Sequence, residues 1–180
     1  MPNVAEHEIE LLNFYRASEL HGGLVLGQMV ARARDTQLAL DLTRHSAEEV
    51  VHAQLWTETI IALRGDVRPV RDTYQRYYAR LVGAPTTMLE VLAITQVFER
   101  RVYRHFTEHL HRPGTHSQIC TTLWRMIDEE KGHLNWVARW LKRRTLEGAA
   151  VSEIMRRYEE ADEEVYATLL RRYAWWREAA

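Results

Sequence analysis

Cysteine is almost missing from this chain. Cys120 stands alone among 180 residues, which excludes an internal disulfide and leaves no Cys-x-x-Cys pair for a zinc ribbon or a rubredoxin-type iron site. Proline and glycine are scarce, with four and eight copies, so few positions force a helix to stop. No apolar run approaches the ~18 residues needed to cross a bilayer. The opening Met1-Pro2-Asn3-Val4-Ala5-Glu6-His7 lacks the basic and apolar pattern of a secretion signal. Charge of one sign is not in excess either: the formal net charge is -1, so nothing electrostatic favours a nucleic-acid or anionic-membrane partner. These absences lead to the expectation of a soluble protein in a reducing cytoplasm.

What is present is helical patterning. Hydrophobic residues make up 46 % and charged residues 27 %, an ordinary balance for one globular domain spanning 1–180. Strand-like alternation is missing, and apolar residues recur at helical spacing. The pattern predicts helices over roughly 5–33, 36–64, 86–111, 115–143 and 152–177, with a short one around Tyr74–Leu81 inside a long connection, 65–85. The breaks have local causes. Asp35-Thr36 offers an N-cap, Gly65 to Pro69 ends the second helix, Thr87 and Glu90 have capping-box spacing, and Pro113-Gly114 is a turn.

Polar residues interrupt the apolar stripes at matching places. Leu38, Leu42, His45, Glu49, His52, Trp56 and Ile60 share one helix face, and Ile119, Leu123, Met126, Glu130, His133, Val137 and Trp140 share another. Each contains a Glu-x-x-His motif, Glu49/His52 and Glu130/His133, whose i and i+3 members point the same way. Each motif also follows a lone glutamate. Glu19 lies 30 residues before Glu49, and Glu99 lies 31 before Glu130. If each pair belongs to an antiparallel hairpin, its midpoint should fall at the turn. The midpoints are 34 and 114.5, beside Asp35-Thr36 and at Pro113-Gly114. Both glutamate pairs then sit at equal heights, ~22–24 Å from their turns. Carboxylates buried among apolar residues require a compensating cation. Four carboxylates and two imidazoles from four helices form a ligand set for two iron-like ions.

A third match, Glu108-His109-Leu110-His111, lies beside the Pro113-Gly114 turn. It reads as solvated helix-end polarity, together with His116, rather than a ligand set.

On Glu19, Glu49/His52, Glu99 and Glu130/His133, residues 10–142 resemble the ferritin-like superfamily of non-haem diiron carboxylate proteins. Bacterioferritin, rubrerythrin, acyl-carrier-protein desaturase and the bacterial multicomponent monooxygenases belong to it. The resemblance implies an all-α, antiparallel four-helix bundle with a long crossover, its core at about 5–143, and an additional C-terminal helix at about 152–177. It also implies that Glu49 and Glu130 bridge two ions, with Glu19 and His52 terminal on one and Glu99 and His133 on the other. Glu48 and Glu129 would steady the metal-bound histidines, Glu48 near His133 and Glu129 near His52. The ions would be two irons, or iron with manganese, and the co-substrate dioxygen or peroxide.

Tyr15 lies one turn before Glu19 and Tyr103 one turn after Glu99; each is placed to hydrogen-bond a carboxylate or to pass an electron. Gly22, Gly23 and Gly27 follow Glu19, and two readings stay open: close helix packing, or a pocket beside the metals. The favoured function is activation of dioxygen to oxidise or oxygenate a small organic substrate, with an external electron donor and assembly as a homodimer or larger homo-oligomer. A bacterioferritin- or rubrerythrin-like ferroxidase or peroxide reductase is the alternative, and a non-catalytic metal-binding scaffold the second. Gln96 stands where rubrerythrin-type sites carry a further glutamate, which weakens the peroxide reading. The long last helix, ending near Trp175-Trp176, departs from the short one of ferritin cages.

Overall fold

The computed structural model describes residues 4–173, and the described residues contain helices and no strand. The helices are α1 (Glu6–Val30), α2 (Thr36–Ala62), α3 (Tyr74–Val82), α4 (Met88–His111), α5 (Ser117–Leu146) and α6 (Val151–Arg172). The all-helical class expected from the patterning holds. The expected Trp175-Trp176 ending lies outside the described residues.

Helix boundaries follow local chemistry. Asp35 Oδ1 accepts the backbone N–H groups of Gln37 and Leu38 at 2.9 and 3.1 Å, capping α2. Thr87 and Glu90 form a full capping box at the start of α4. Glu90 also takes the Thr86 N–H at 2.8 Å and the Arg157 guanidinium at 2.6 Å. The Thr86 bonds lead in holding its carboxyl down at about 2.

Some ends differ from expectation. α1 stops at Val30, short of the expected 33. At the end of α2, Arg64 takes the left-handed conformation, with φ 59°. Gly65 N–H bonds Ile60 O and Arg64 N–H bonds Ile61 O, both at 2.9 Å, which is a Schellman closure. Gly65 is needed for another reason: a Cβ there would lie 2.7 Å from Ile9. α5 extends beyond the expected 143 to Leu146, because Arg143 and Arg144 both pair with Glu147 along the last turn.

Chain contacts divide the molecule into two compact units. The first runs through Tyr77 and includes Gly114–Thr122; the second comprises Tyr78–Pro113 and the chain from Leu123 onward. In the first unit α1 packs on α2 in antiparallel sense. Residues rising along α1 meet residues falling along α2: Tyr15 stacks on Trp56 at 5.2 Å between centroids, and Ser46 donates to Gly23 O at 2.7 Å. The chain leaving α2 is tied back along α1. Asn13 donates to Asp66 O and accepts Arg68 N–H, and Gln75 donates to Ser18 O at 2.9 Å.

In the second unit α6 packs on α4. Apolar residues at helical spacing, Ile154, Tyr158, Ala161, Val165 and Leu169, suggest an inward stripe; the last four are buried and Ile154 is half-buried. One buried ion-pair network joins the two helices. Arg101 donates to Asp162 at 2.6 Å from Nε and 2.5 Å from Nη2, and Tyr78 OH donates to the same carboxylate at 2.8 Å. The guanidinium also lies over the Tyr166 ring, 4.1 Å from its centroid. Arg101→Met should leave the buried Asp162 charge without its main partner and destabilise the protein by ~3 kcal/mol. Urea denaturation measures this, and adding Asp162→Leu to that variant should recover part of the loss. A loss below ~1 kcal/mol would show that the pair contributes no more than an exposed one.

Candidate metal centre

The first unit contributes one cluster. Glu19 projects from α1, and Glu49 and His52 from one face of α2; all three are buried. They can each offer a ligand atom within 4.8 Å of the others. His52 Nδ1 is 4.0 Å from Glu19 Oε2 and 4.0 Å from Glu49 Oε1. These separations are too long for hydrogen bonds. They match donors arranged around one ion, where bonds of about 2.0–2.2 Å put ligand atoms roughly 3–4 Å apart.

The second unit contributes the other. Glu99 comes from α4, and Glu130 and His133 from α5; all are buried. His133 Nδ1 is 2.9 Å from Glu130 Oε2 and 3.7 Å from Glu99 Oε2. Burial alone would push this imidazole down. The hydrogen bonds and charges of Glu130 and Glu99 outweigh it and raise the group to about 12. Contact with the two carboxylates thus favours the protonated imidazole, and a charged His133 offsets part of the cost of burying them. Three residues before Glu99, the buried Gln96 Oε1 has no hydrogen-bond partner among the described residues. An orphaned buried carbonyl one turn from Glu99 is an acceptor still open to a polar partner.

The donor set fits a metal. Each cluster supplies oxygen and imidazole nitrogen from rigid helix positions, and that chemistry suits iron, manganese or zinc. Buried groups of histidine and glutamate able to hold metal ions are thus a property of the fold.

The remaining predicted residues divide. Tyr15 is buried against Trp56. Tyr103 is half-buried and lines a cleft of about 640 Å³ in the second unit, with Arg100, Arg104, Leu134 and Glu163. Glu48 is exposed, and Glu129 is half-buried and pairs with Arg125 at 3.1 Å. In the third Glu-x-x-His match, Glu108 and His111 are exposed, as expected. His109 is a correction: it is fully buried. It lies one turn after the core residue Phe106, so it faces inward while Glu108 and His111 face water.

His45 is the residue that the ligand reading passed over. It lies on the predicted stripe one turn before Glu49, and it is buried with Nε2 3.0 Å from Glu49 Oε1. The signal was present: a histidine at i−4 from one proposed ligand and i−7 from another shares their face.

The glycines after Glu19 serve different ends. A Cβ on Gly23 would lie 2.9 Å from Ser46 O, a backbone atom, so Gly23 allows α1 to approach α2 closely. A Cβ on Gly22 would meet only the Gln75 amide at 3.2 Å and Glu49 Oε2 at 3.4 Å. Gly23→Ala should therefore cost ~1–3 kcal/mol by overpacking. Gly22→Ala should be neutral or up to ~1 kcal/mol stabilising, since alanine is the better helix former. Thermal unfolding of both variants compares them, and equal losses would contradict the division.

No protein-family model, curated protein or solved structure matches this chain. No helix among the described residues is long and apolar enough to cross a membrane.

Proposed function

We propose that the two clusters act together as a dimetal centre that activates dioxygen to oxidise or oxygenate a small organic molecule. In this reading α1, α2, α4 and α5 form a ferritin-like four-helix bundle to which α6 is added. Glu19, Glu49, His52, Glu99, Glu130 and His133 hold two irons, or iron with manganese. The observation that carries it is the duplication: each compact unit buries one lone glutamate with one Glu-x-x-His pair. Chance surface charges on amphipathic helices would not be buried in two matching sets.

When bound, two reduced ions supply two electrons to dioxygen at one place. The chain's residues do the rest. The glutamates provide anionic oxygen donors, the histidines neutral nitrogen donors, and the apolar stripes exclude water from the site. Tyr15, buried beside Trp56, steadies the α1 side by packing. Tyr103 and Leu134 line the 640 Å³ cleft and neighbour Glu99 and His133 in sequence, one turn and one residue away. The cleft is accordingly the proposed approach for an organic substrate, and an external electron donor would supply the reducing equivalents.

Ferroxidase and storage function is separated from this reading by stoichiometry. Metal-free protein is titrated with iron(II) in air, desalted and assayed for iron. Two irons retained per chain is the expected result. Many irons per chain would replace the oxygenase reading with storage, and none would overturn the metal centre. Glu49→Ala and Glu130→Ala should each abolish two-ion retention while circular dichroism stays helical, because the apolar stripes remain. Unchanged loading in either variant would refute the ligand assignment.

A further inference from the structure

We propose that His45 is a seventh ligand, a third imidazole bound to one of the two ions that Glu49 bridges. The inference deepens the dimetal reading and rests on it. His45 is almost wholly buried, at 1 % exposure, between Leu42 and Glu49 on the inward stripe of α2. Its Nε2 points at Glu49 Oε1 from 3.0 Å. That distance suits a hydrogen bond, and it equally suits two cis ligands on one ion with bonds of about 2.0–2.2 Å.

The two halves differ at this place. Four residues before Glu130, at the position equivalent to His45, stands Met126, which is also fully buried. Apolar packing alone accepts methionine there, as the second half demonstrates. A buried imidazole on the first half needs a polar reason, and a shared ion with Glu49 supplies one.

His45 would ligate through Nε2 and keep its remaining proton on Nδ1. The ligand set becomes four carboxylates and three imidazoles, and the two ions become unequal. The ion carrying His45 has one position fewer for water or dioxygen, and the added nitrogen favours iron there over manganese.

The test uses the full-length protein loaded anaerobically with two equivalents of cobalt(II), a paramagnetic probe of oxygen and nitrogen ligation. Proton NMR then counts the strongly shifted, solvent-exchangeable imidazole N–H resonances. Native protein should show three, from His45, His52 and His133. His45→Met, which copies the second half, should show two, with two cobalt ions still able to bind at higher concentration. Two resonances in the native protein would overturn the proposal and reduce His45 to a hydrogen-bonding partner that orients Glu49. Three resonances persisting in His45→Met would overturn it as well. Failure of native protein to bind cobalt would instead bring down the underlying metal reading, so the two failures are distinguishable.

Discussion

Carboxylates inside an apolar helical core are the constraint on which this structure turns. Glu19, Glu49, Glu99, Glu130 and Asp162 are all buried. An ionised carboxylate removed from water carries a penalty of several kcal/mol unless positive charge and hydrogen bonds offset it. Net stability of a domain is only ~5–15 kcal/mol. Five such groups could not be carried uncompensated. The helix lengths, the turn positions and the aromatic packing around these acids bring each one to a compensating partner.

Those features that depend on sequence neighbours were legible in advance. The capping box of Thr87 and Glu90 needs only a spacing of three, and Asp35 needs only the two N–H groups that follow it. The inward stripes of α2 and α5 follow from helical periodicity, and so did the burial of both Glu-x-x-His motifs. The pairing of Glu19 with Glu49 and His52 required one step more, the midpoint argument, because height in a hairpin is set by distance from its turn.

What remained hidden depends on partners distant in sequence. Nothing near Arg101 in sequence marks it as buried; its partner Asp162 comes from α6, 61 residues away. His109 sits between the exposed Glu108 and His111, and its inward turn is decided by packing on Phe106's side of α4. Gly22 and Gly23 are adjacent and chemically identical, yet one faces the Ser46 backbone and the other a glutamate oxygen. No local rule separates them. At the end of α2 the left-handed residue of the Schellman closure is Arg64, not the glycine that follows it.

The chain uses two different cations against its buried acids, and the difference separates architecture from chemistry. Asp162 is met by Arg101, whose guanidinium keeps its proton at any pH a protein survives and cannot bind a metal. That pair can only hold α6 to α4. The glutamate clusters are met by imidazoles. His133 holds its proton strongly while Glu130 and Glu99 are its neighbours, but an imidazole can surrender that proton and remain a ligand. In the proposed dimetal reading an incoming divalent ion would bring two positive charges to the carboxylates and displace the histidine proton, so binding would exchange protons for metal. Arginine can hold a buried acid in place but cannot ligate an ion, whereas imidazole can do both.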